Sequence, residues 1–241
     1  VGARNASPNG QRFAHKLAQE LSQTDLVHEP LHITSGMARG IDAAAHQGGM
    51  ERGSIAVLAG GVDVPYPQEN ARLYEQLIEQ GAIVSEMPLG TEPAARLFPK
   101  RNRIIAALSR GVVLIEAKLQ SGTLITARAA GEFGRSVFAV PGAPYDPRSS
   151  GCNAMIRDGA PLVRSARDVF EDLQAERSRP LGAEMPPMLG LTPTALSTDM
   201  AGSLDERSVD KARQLVLELL SPYPPAVHDL LTESQAPLPL L

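Results

Sequence analysis

Short apolar runs alternate with longer amphipathic stretches over most of the chain. The apolar runs lie at residues 31–34, 54–59, 82–85, 112–115 and 137–140. Beside them, apolar side chains recur with helical spacing at residues 11–21, 41–51, 69–80, 102–108 and 124–133. Strands separated by single helices are typical of βαβ units. The pattern therefore predicts an α/β fold, extended and Rossmann-like, with one parallel sheet and helices on both of its faces.

This alternation ends after about residue 175 and divides the chain into three predicted parts. Residues 1–175 form the Rossmann-like domain, and Val1-Gly2 has the character of a strand end, so we expect a truncated first strand with an N-terminal part before it. Residues 176–204 are rich in Pro, Gly, Ser and Thr, which predicts a linker. Residues 205–241 contain two short helical patterns around Ser-Pro-Tyr-Pro-Pro, which predicts a partial, winged-helix-like α-helical domain.

Composition narrows the classes of protein that fit. The 241 residues with 43% apolar content can bury one good core, and the single Cys152 excludes a disulfide framework and a cysteine zinc cluster. Basic and acidic residues are equal in number over 1–177, so any nucleic-acid binding must come from a local patch. Neither a signal peptide nor a bilayer-spanning run is visible in the sequence, so we expect a cytoplasmic protein without a membrane partner.

The segment from Ile33 to His46 carries the most specific chemistry. An apolar strand runs into Ser35-Gly36 and then Arg39-Gly40, and a helical pattern follows. Glycine lets the backbone turn sharply and approach a ligand closely, and the first turn of a helix presents unpaired N–H groups to an anion. The guanidinium of Arg39 suits a phosphate. The segment predicts a phosphate-binding turn.

A basic run before a second helical pattern indicates an anionic ligand as well. Lys100, Arg101 and Arg103 lie between Arg96 and Arg110 with no carboxylate among them. Such a run is often only a solvated helix face, but these cations gather at a predicted helix start, where the positive end of the helix dipole disfavours them. An anion bound nearby would offset that repulsion.

Two further strand ends resemble the phosphate turn. Ser121, Gly122 and Thr123 open a helix near Lys118, with Gly122 expected to relieve crowding there. The fragment from Val1 to Ser7 offers a similar turn beside Arg4. Each alone is more typical of an ordinary helix cap. Because parallel strands bring such turns to one sheet edge, together they predict a ligand with several phosphates in a row.

Several polar residues have a structural interpretation that competes with a catalytic one. Asp42 and His46 lie four apart on one helical face, and without a third suitably spaced ligand we interpret them as orienting the helix start. Glu86 and Glu116 lie at strand ends, and we interpret them as holding Arg101 or Arg103 in place. We expect Cys152 to be inert, and we expect no cofactor and no metal.

These motifs together carry a family resemblance. They are Ser-Gly-Met-Ala-Arg-Gly-Ile-Asp at 35–42, Ile-Ala-Val-Leu-Ala-Gly-Gly-Val-Asp at 55–63, Phe-Pro-Lys-Arg-Asn-Arg-Ile-Ile-Ala at 98–106, Ser-Gly-Thr-Leu-Ile-Thr-Ala at 121–127 and Phe-Ala-Val-Pro-Gly at 138–142. The chain resembles the DNA-processing protein A family (DprA, also called Smf) over about residues 1–173. The resemblance implies an extended Rossmann fold that binds single-stranded DNA without cleaving it. It also implies protection of incoming DNA in natural transformation, loading of the RecA recombinase, and a homodimer.

The resemblance also implies where the DNA binds. Ser35, Gly36, Arg39 and Gly40 match the family's phosphate-binding turn, Lys100, Arg101 and Arg103 match its basic motif, and Ser121, Gly122 and Thr123 match a second phosphate turn. Arg4 and Lys118 complete the set of expected DNA-binding residues, with no catalytic residue among them. The sequence departs from the family at Gln120, where relatives usually carry a basic residue, and Lys118 is the candidate to compensate.

Two other classes of function stay open at this point. A Rossmann-type nucleotide or nucleoside-phosphate hydrolase is the main alternative, although Pro141-Gly142 continues as Ala-Pro-Tyr instead of the Gly-rich signature of that group. A dinucleotide-binding oxidoreductase is the other, and it is disfavoured because no Gly-x-Gly-x-x-Gly turn with a following acidic residue is present.

Overall fold

The computed structural model describes residues 1–26 and 29–177, and in that part the chain is an α/β protein. The predicted linker from residue 178 onward and the predicted domain at 205–241 lie outside the described residues. The helices are α1 (Pro8–Ser22), α2 (Ile41–Gly49), α3 (Ala71–Gln80), α4 (Leu97–Leu108), α5 (Gly122–Glu132), α6 (Ser150–Arg157) and α7 (Ala166–Arg177). The strands are β1 (Asp25–Leu26), β2 (Glu29–Pro30), β3 (Ile33–Ser35), β4 (Ser54–Val57), β5 (Ala82–Val84), β6 (Gly111–Leu114) and β7 (Ser136–Ala139). No helix of this described part is long and apolar enough to cross a membrane.

The parallel strands form two sheets, which corrects the prediction of a single one. One sheet has the order β3-β4-β5 and the other consists of β6 and β7, each with parallel pairing throughout. Directly after β6, a parallel bridge joins Ile115 to Gly2. A separate antiparallel pair, β1 and β2, precedes β3. The alternating pattern located every parallel strand to within two residues, but pattern alone does not specify which edges pair.

The core consists of apolar strand faces covered by helices. Val112, Leu114 and Val137 pack against α5 and α6, and Phe138 packs with Leu17 of α1 beneath α7. A third cluster joins β4 to α3 and to Met37 of the turn after β3. Since burial of these side chains from water stabilises the fold, the strand ends that carry the predicted phosphate turns are held on a rigid base.

Two helices begin three or more residues earlier than predicted. Helix α4 begins at Leu97 rather than at residue 102, so Lys100, Arg101 and Arg103 lie inside its first two turns. Pro99 is compatible with this because the N–H groups of a first helical turn have no partner within the helix. Helix α1 begins at Pro8, where Ser7 caps it by accepting a hydrogen bond from the N–H of Gly10. Helices α6 and α7 were missed from the sequence.

Candidate functional site

A cleft of about 570 Å³ lies at the edge of the sheets where the predicted turns converge. Its lining includes the fragment from Val1 to Arg4, the turn after β3 at Ala38, Tyr66, the start of α4 with the loop before it, and the start of α5. A small extension of about 30 Å³ continues to Gly36 and Arg39. The predicted convergence of separate strand-to-helix turns on one edge is therefore confirmed in the described structure.

The turn from Gly36 to Gly40 is held by side chains from three other elements. Met37 and Gly40 have positive φ values of 56° and 77°, a conformation that a non-glycine residue such as Met37 adopts only when its surroundings enforce it. Arg101 donates to the carbonyl oxygen of Gly36 at 2.8 Å, and Asn70 donates to that of Met37 at 2.9 Å. The turn is thus fixed before any ligand arrives.

His46 is the buried anchor of the same turn. Its Nε2 accepts a hydrogen bond from the N–H of Met37 at 3.3 Å, and its Nδ1 lies 2.7 Å from the Ser54 hydroxyl, which donates to the carbonyl oxygen of Ile33. Because that hydroxyl already donates, Nδ1 carries the proton and Nε2 is the acceptor. Burial lowers the pKa of His46 to about 4. The imidazole is therefore neutral at physiological pH.

Asp42 completes this support, with its Oδ2 accepting from the N–H of Ala38 at 3.4 Å. The interpretation of Asp42 and His46 as residues that orient the helix start is confirmed by these contacts. Among the residues described here, no group of three His, Cys, Asp or Glu side chains is placed to hold a metal ion. The thiol of Cys152 is buried, and burial raises its pKa.

Of the predicted DNA ligands, Ser35, Gly36, Arg101 and Thr123 are buried. Arg101 is 6% exposed, and its Nη1 donates to the carbonyl oxygens of Gly36 and Val57. Ser35 is 1% exposed and does not line the cleft. The Ser35 side chain therefore does not contact a ligand in the cleft, contrary to the prediction. Arg101 contributes its charge to the cleft wall, and its hydrogen bonds hold the turn. A Cβ atom at Gly36 would lie 2.5 Å from the Arg101 guanidinium, which explains the glycine.

The remaining predicted cations are exposed, and Arg4 lines the cleft while Arg39 lines the small pocket beside it. The guanidinium of Arg4 lies 5.0 Å from the centre of the Phe98 ring, and that of Arg101 lies 5.9 Å from it. Arg39 lies 3.4 Å from Glu69, and Arg103 pairs with Glu86. The predicted pairing of Glu86 with a basic-motif arginine is confirmed. Lys100 and Lys118 are also exposed.

Helix α5 presents an open amino-terminal end to the cleft. Ser121 precedes the helix without a side-chain capping bond, and its buried hydroxyl has no hydrogen-bond partner. A Cβ atom at Gly122 would meet nothing within 4 Å, so the expectation that Gly122 relieves internal crowding is wrong. Thr123 is tied to the cleft floor, donating to the carbonyl oxygen of Gly2 at 3.3 Å. The space at Gly122 therefore faces outward, toward the cleft.

Helix α1, by contrast, is closed by an internal carboxylate. Glu116, at a φ of 53°, accepts hydrogen bonds from the backbone N–H of Ser7 at 2.8 Å and from its hydroxyl. The prediction of a fourth phosphate-binding turn before α1 is therefore wrong, because the carboxylate of Glu116 already lies at the positive end of this helix. Glu116 does not hold Arg101 or Arg103 as expected. The part of this fragment that lines the cleft is Val1 to Arg4, and Arg4 is its cation.

Two residues that shape the site were not predicted from the sequence. Asn70 holds the turn, and Asn102 links the two helix starts by accepting from Nε of Arg101 at 3.2 Å and donating to the carbonyl oxygen of Gly122 at 3.3 Å. Asparagine next to a basic motif is a weak signal, because the same residue commonly occurs at helix ends without any ligand.

The known proteins that this chain resembles belong to one family. A family model described as DNA recombination-mediator protein A matches residues 1–174. Protein Smf of Escherichia coli is 45% identical over 177 residues, and the DNA processing protein DprA of Streptococcus pneumoniae is 44% identical over 176 residues. These alignments cover 72% of this chain in both cases, but 46% and 60% of the two relatives. The chain thus spans about half the length of the curated relatives that it matches.

Two solved structures share the fold. The X-ray structure of DprA from Streptococcus pneumoniae superposes with a TM-score of 0.65 at 43% identity, covering 71% of this chain and 59% of that one. DNA processing protein A from Helicobacter pylori superposes with a TM-score of 0.66 at 26% identity, covering 73% and 79%. The latter structure is described as showing a single-stranded DNA binding mode of the Helicobacter protein.

Proposed function

The chain belongs to the DNA recombination-mediator protein A family, and from that premise we propose that it binds single-stranded DNA along its cleft without cleaving it. The observation that carries the proposal is that the fixed turn and the open start of α5 share one cleft with Arg4 and Arg101, and that Arg39 lines the small pocket beside it. Lys100, Arg103 and Lys118 are exposed on the segments that lead into α4 and α5 and are proposed to extend this surface. Phosphates carry no base identity, so binding through them is independent of sequence.

The electrostatics of the site support a ligand with several phosphates. The chain as a whole carries a formal charge of −4, yet the cleft gathers cations on separate elements and adds the free N–H groups at the start of α5. Successive phosphates of an extended strand would reach these groups in turn. The guanidinium groups of Arg4 and Arg101 already lie 5.0 and 5.9 Å from the centre of the Phe98 ring, so this ring offers little free surface for stacking on a base.

Replacing Arg39 with alanine is expected to weaken binding of a fluorescent oligo(dT) about three- to tenfold at low salt. It should also reduce the slope of log affinity against log salt concentration by roughly one unit, because one phosphate contact is lost. The measurement is fluorescence anisotropy over a salt series. Arg167→Ala is the matched control, since Arg167 is an exposed arginine of α7 that pairs with Glu171 at 2.6 Å.

Two results would count against the DNA proposal. Equal losses for Arg39→Ala and Arg167→Ala would mean that net charge, and not the cleft, governs binding. Absence of binding at low salt would reject the proposal for this chain. A labelled nucleoside phosphate that bound instead would favour a nucleotide-binding function.

Replacing Glu86 with glutamine is expected to strengthen DNA binding about two- to threefold at low salt, and not at high salt. In the free protein the carboxylate competes with phosphate for Arg103. Both side chains are about half exposed, so the pair itself contributes little to folding. Glu171→Gln removes the same charge from α7 and should leave affinity nearly unchanged. Equal gains in DNA affinity for Glu86→Gln and Glu171→Gln, measured by fluorescence anisotropy, would mean that net charge and not the pair with Arg103 is responsible.

We also propose that the protein passes its bound strand to the RecA recombinase, in natural transformation and recombination in the cytoplasm, and acts as a homodimer. The family description as a recombination mediator supports the first part, and the few phosphate contacts available per subunit favour two linked sites. Addition of the protein should speed the onset of RecA ATP hydrolysis on strands coated with single-strand-binding protein, and light scattering should give twice the chain mass. An unchanged onset of ATP hydrolysis would contradict the transfer to RecA, and a monomeric mass would contradict the homodimer. Shortened DNA strands would contradict binding without cleavage.

A further inference from the structure

Tyr145 is the most exposed of the large apolar side chains that the structure describes, with 99% of its surface open to solvent. It lies in the loop that joins β7 to α6. A single exposed apolar side chain is ordinary on a protein surface, so exposure alone does not indicate a site. Two further observations distinguish Tyr145: the loop that carries it is held in place, and this loop lies beside the cleft.

Two consecutive turns hold the backbone around Tyr145. The N–H of Asp146 donates to the carbonyl oxygen of Ala143 at 3.0 Å, and the N–H of Ser149 donates to that of Asp146 at 2.9 Å. Both turns have a proline at their second position, where its fixed φ suits a turn. The carboxylate of Asp146 also pairs with Arg148 at 2.8 Å. The aromatic ring is therefore presented on a backbone that loses little entropy when a ligand binds.

The ends of this loop are fixed to α6 and to the segment after β6. The N–H of Gly142 donates to Oδ1 of Asn153 at 3.1 Å, and Nδ2 of Asn153 donates back to the Gly142 carbonyl oxygen at 3.0 Å. At the start of α6, the N–H of Gly151 donates to the carbonyl oxygen of Ala117 at 2.7 Å. A Cβ atom at Gly151 would lie 2.8 Å from the carbonyl oxygen of Lys118, so the two segments are in close contact.

The segment after β6 leads directly into the cleft. Because β6 and β7 are parallel neighbours, the loops that follow them lie side by side at the same edge of the sheet. The N–H of Ser121 donates to the carbonyl oxygen of Lys118 at 3.0 Å, and α5 begins at the next residue, on the cleft wall. The side chain of Lys118 is exposed. The open start of α5, a cation and a free aromatic ring therefore follow one another along this edge.

We propose that Tyr145 is a base-stacking site for single-stranded DNA, an inference that rests on the proposed function and extends the DNA path beyond the cleft. A strand whose phosphates meet the start of α5 and then Lys118 would place its next base against the Tyr145 ring. Such stacking is independent of base identity, since every base has a π-face. Within the cleft, the Phe98 ring already lies against Arg4 and Arg101. The exposed ring of Tyr145 has no such neighbour on its faces and is free to stack.

The chain contains no tryptophan, so Tyr145→Trp introduces a single fluorescent reporter at the site. Phe133→Trp is the matched control, because Phe133 is also exposed, at 46%, but follows the last turn of α5, roughly 16 Å from the start of that helix. Both full-length variants are titrated with oligo(dT) and with a strand of equal length that consists only of abasic sites. We expect oligo(dT) to quench the fluorescence of Tyr145→Trp and the abasic strand to leave it nearly unchanged. Neither strand should quench Phe133→Trp.

Removal of the ring gives the second measurement. Tyr145→Ala is expected to weaken binding of oligo(dT) about five- to tenfold in fluorescence anisotropy, and Tyr145→Phe should keep the wild-type affinity because it keeps the ring. The slope of log affinity against log salt concentration should not change, because no phosphate contact is lost. The abasic strand should bind the wild type and Tyr145→Ala equally.

The outcomes separate this inference from the proposed function. A wild type that binds oligo(dT), with unchanged affinity in Tyr145→Ala, would overturn the stacking site and leave the proposed function in place. Equal quenching of Tyr145→Trp by the abasic strand would also overturn it, because a base would then not be required. Unchanged affinity together with a lower mass of Tyr145→Ala in light scattering would assign the ring to a contact between copies of the chain. Absence of oligo(dT) binding by the wild type would reject the proposed function and the stacking site together.

Discussion

Replacing Gly40 with alanine is expected to lower the free energy of unfolding by about 2–4 kcal/mol and to weaken DNA binding at least tenfold. Gly40 has a φ of 77° and a ψ of −119°, which side chains rarely tolerate. A Cβ atom there would also clash with the carbonyl oxygen of Ala3 and lie 2.6 Å from that of Arg4. Both are backbone atoms and cannot rotate away. The strain would separate Arg4 from Arg39, the two cations on either side of this contact.

Gly122→Ala is the matched control for this prediction. A Cβ atom at Gly122 meets nothing within 4 Å, and alanine favours a helix over glycine by up to about 1 kcal/mol, so the free energy of unfolding should stay equal or rise slightly. Denaturant unfolding measures both variants. DNA affinity should nevertheless fall for Gly122→Ala, since a phosphate at the start of α5 would meet the new methyl group. Similar unfolding energies for the two alanine variants would show that the contact at Gly40 is not a rigid one.

The fold was largely predictable because the strands are short apolar runs with glycine-rich ends. The run predicted at 112–115 is observed as Gly111–Leu114, and that at 137–140 as Ser136–Ala139. Sheet connectivity was not predictable, since each strand edge is chemically the same whichever neighbour it takes. Helix α7 was missed because charged residues such as Arg167 and Glu171, which lie on its exposed face, interrupt the apolar pattern of its buried positions.

The site was predictable in its location but not in the role of each residue. Arg101 and Arg103 are two positions apart in one helix, so they point in different directions, one into the turn and one toward Glu86. A sequence motif shows that both are cationic, but burial decides which one can meet a ligand. Glu116 illustrates the same limit, because its partner Ser7 is 109 residues away in the chain.

His46 leads to the second large effect, a loss of stability in mild acid. The pKa of His46 is about 4 in the folded chain, against 6.5 for an unperturbed histidine. Between these pH values the unfolded chain binds the proton and the folded chain does not, so stability increases with pH. Burial is the main cause, the Val1 amino group and Arg101 lower the pKa further, and Asp42 opposes them. We expect stability to be complete above about pH 6.5 and to fall by about 3 kcal/mol as the pH drops to 4.

His46→Gln is the variant that isolates this effect, because glutamine does not titrate but still offers one acceptor and one donor. The measurement is the free energy of unfolding by denaturant at half-unit steps from pH 7.5 to 4. Carboxylates and the α-amino group titrate in both proteins, so the difference between the two curves belongs to His46. In the wild type, protonation at Nε2 also removes the acceptor for the N–H of Met37 and loosens the turn that positions Arg39. DNA affinity should therefore fall with stability below about pH 5 in the wild type and less steeply in the variant. Parallel curves for the two proteins would mean that the imidazole reaches solvent and does not anchor the turn.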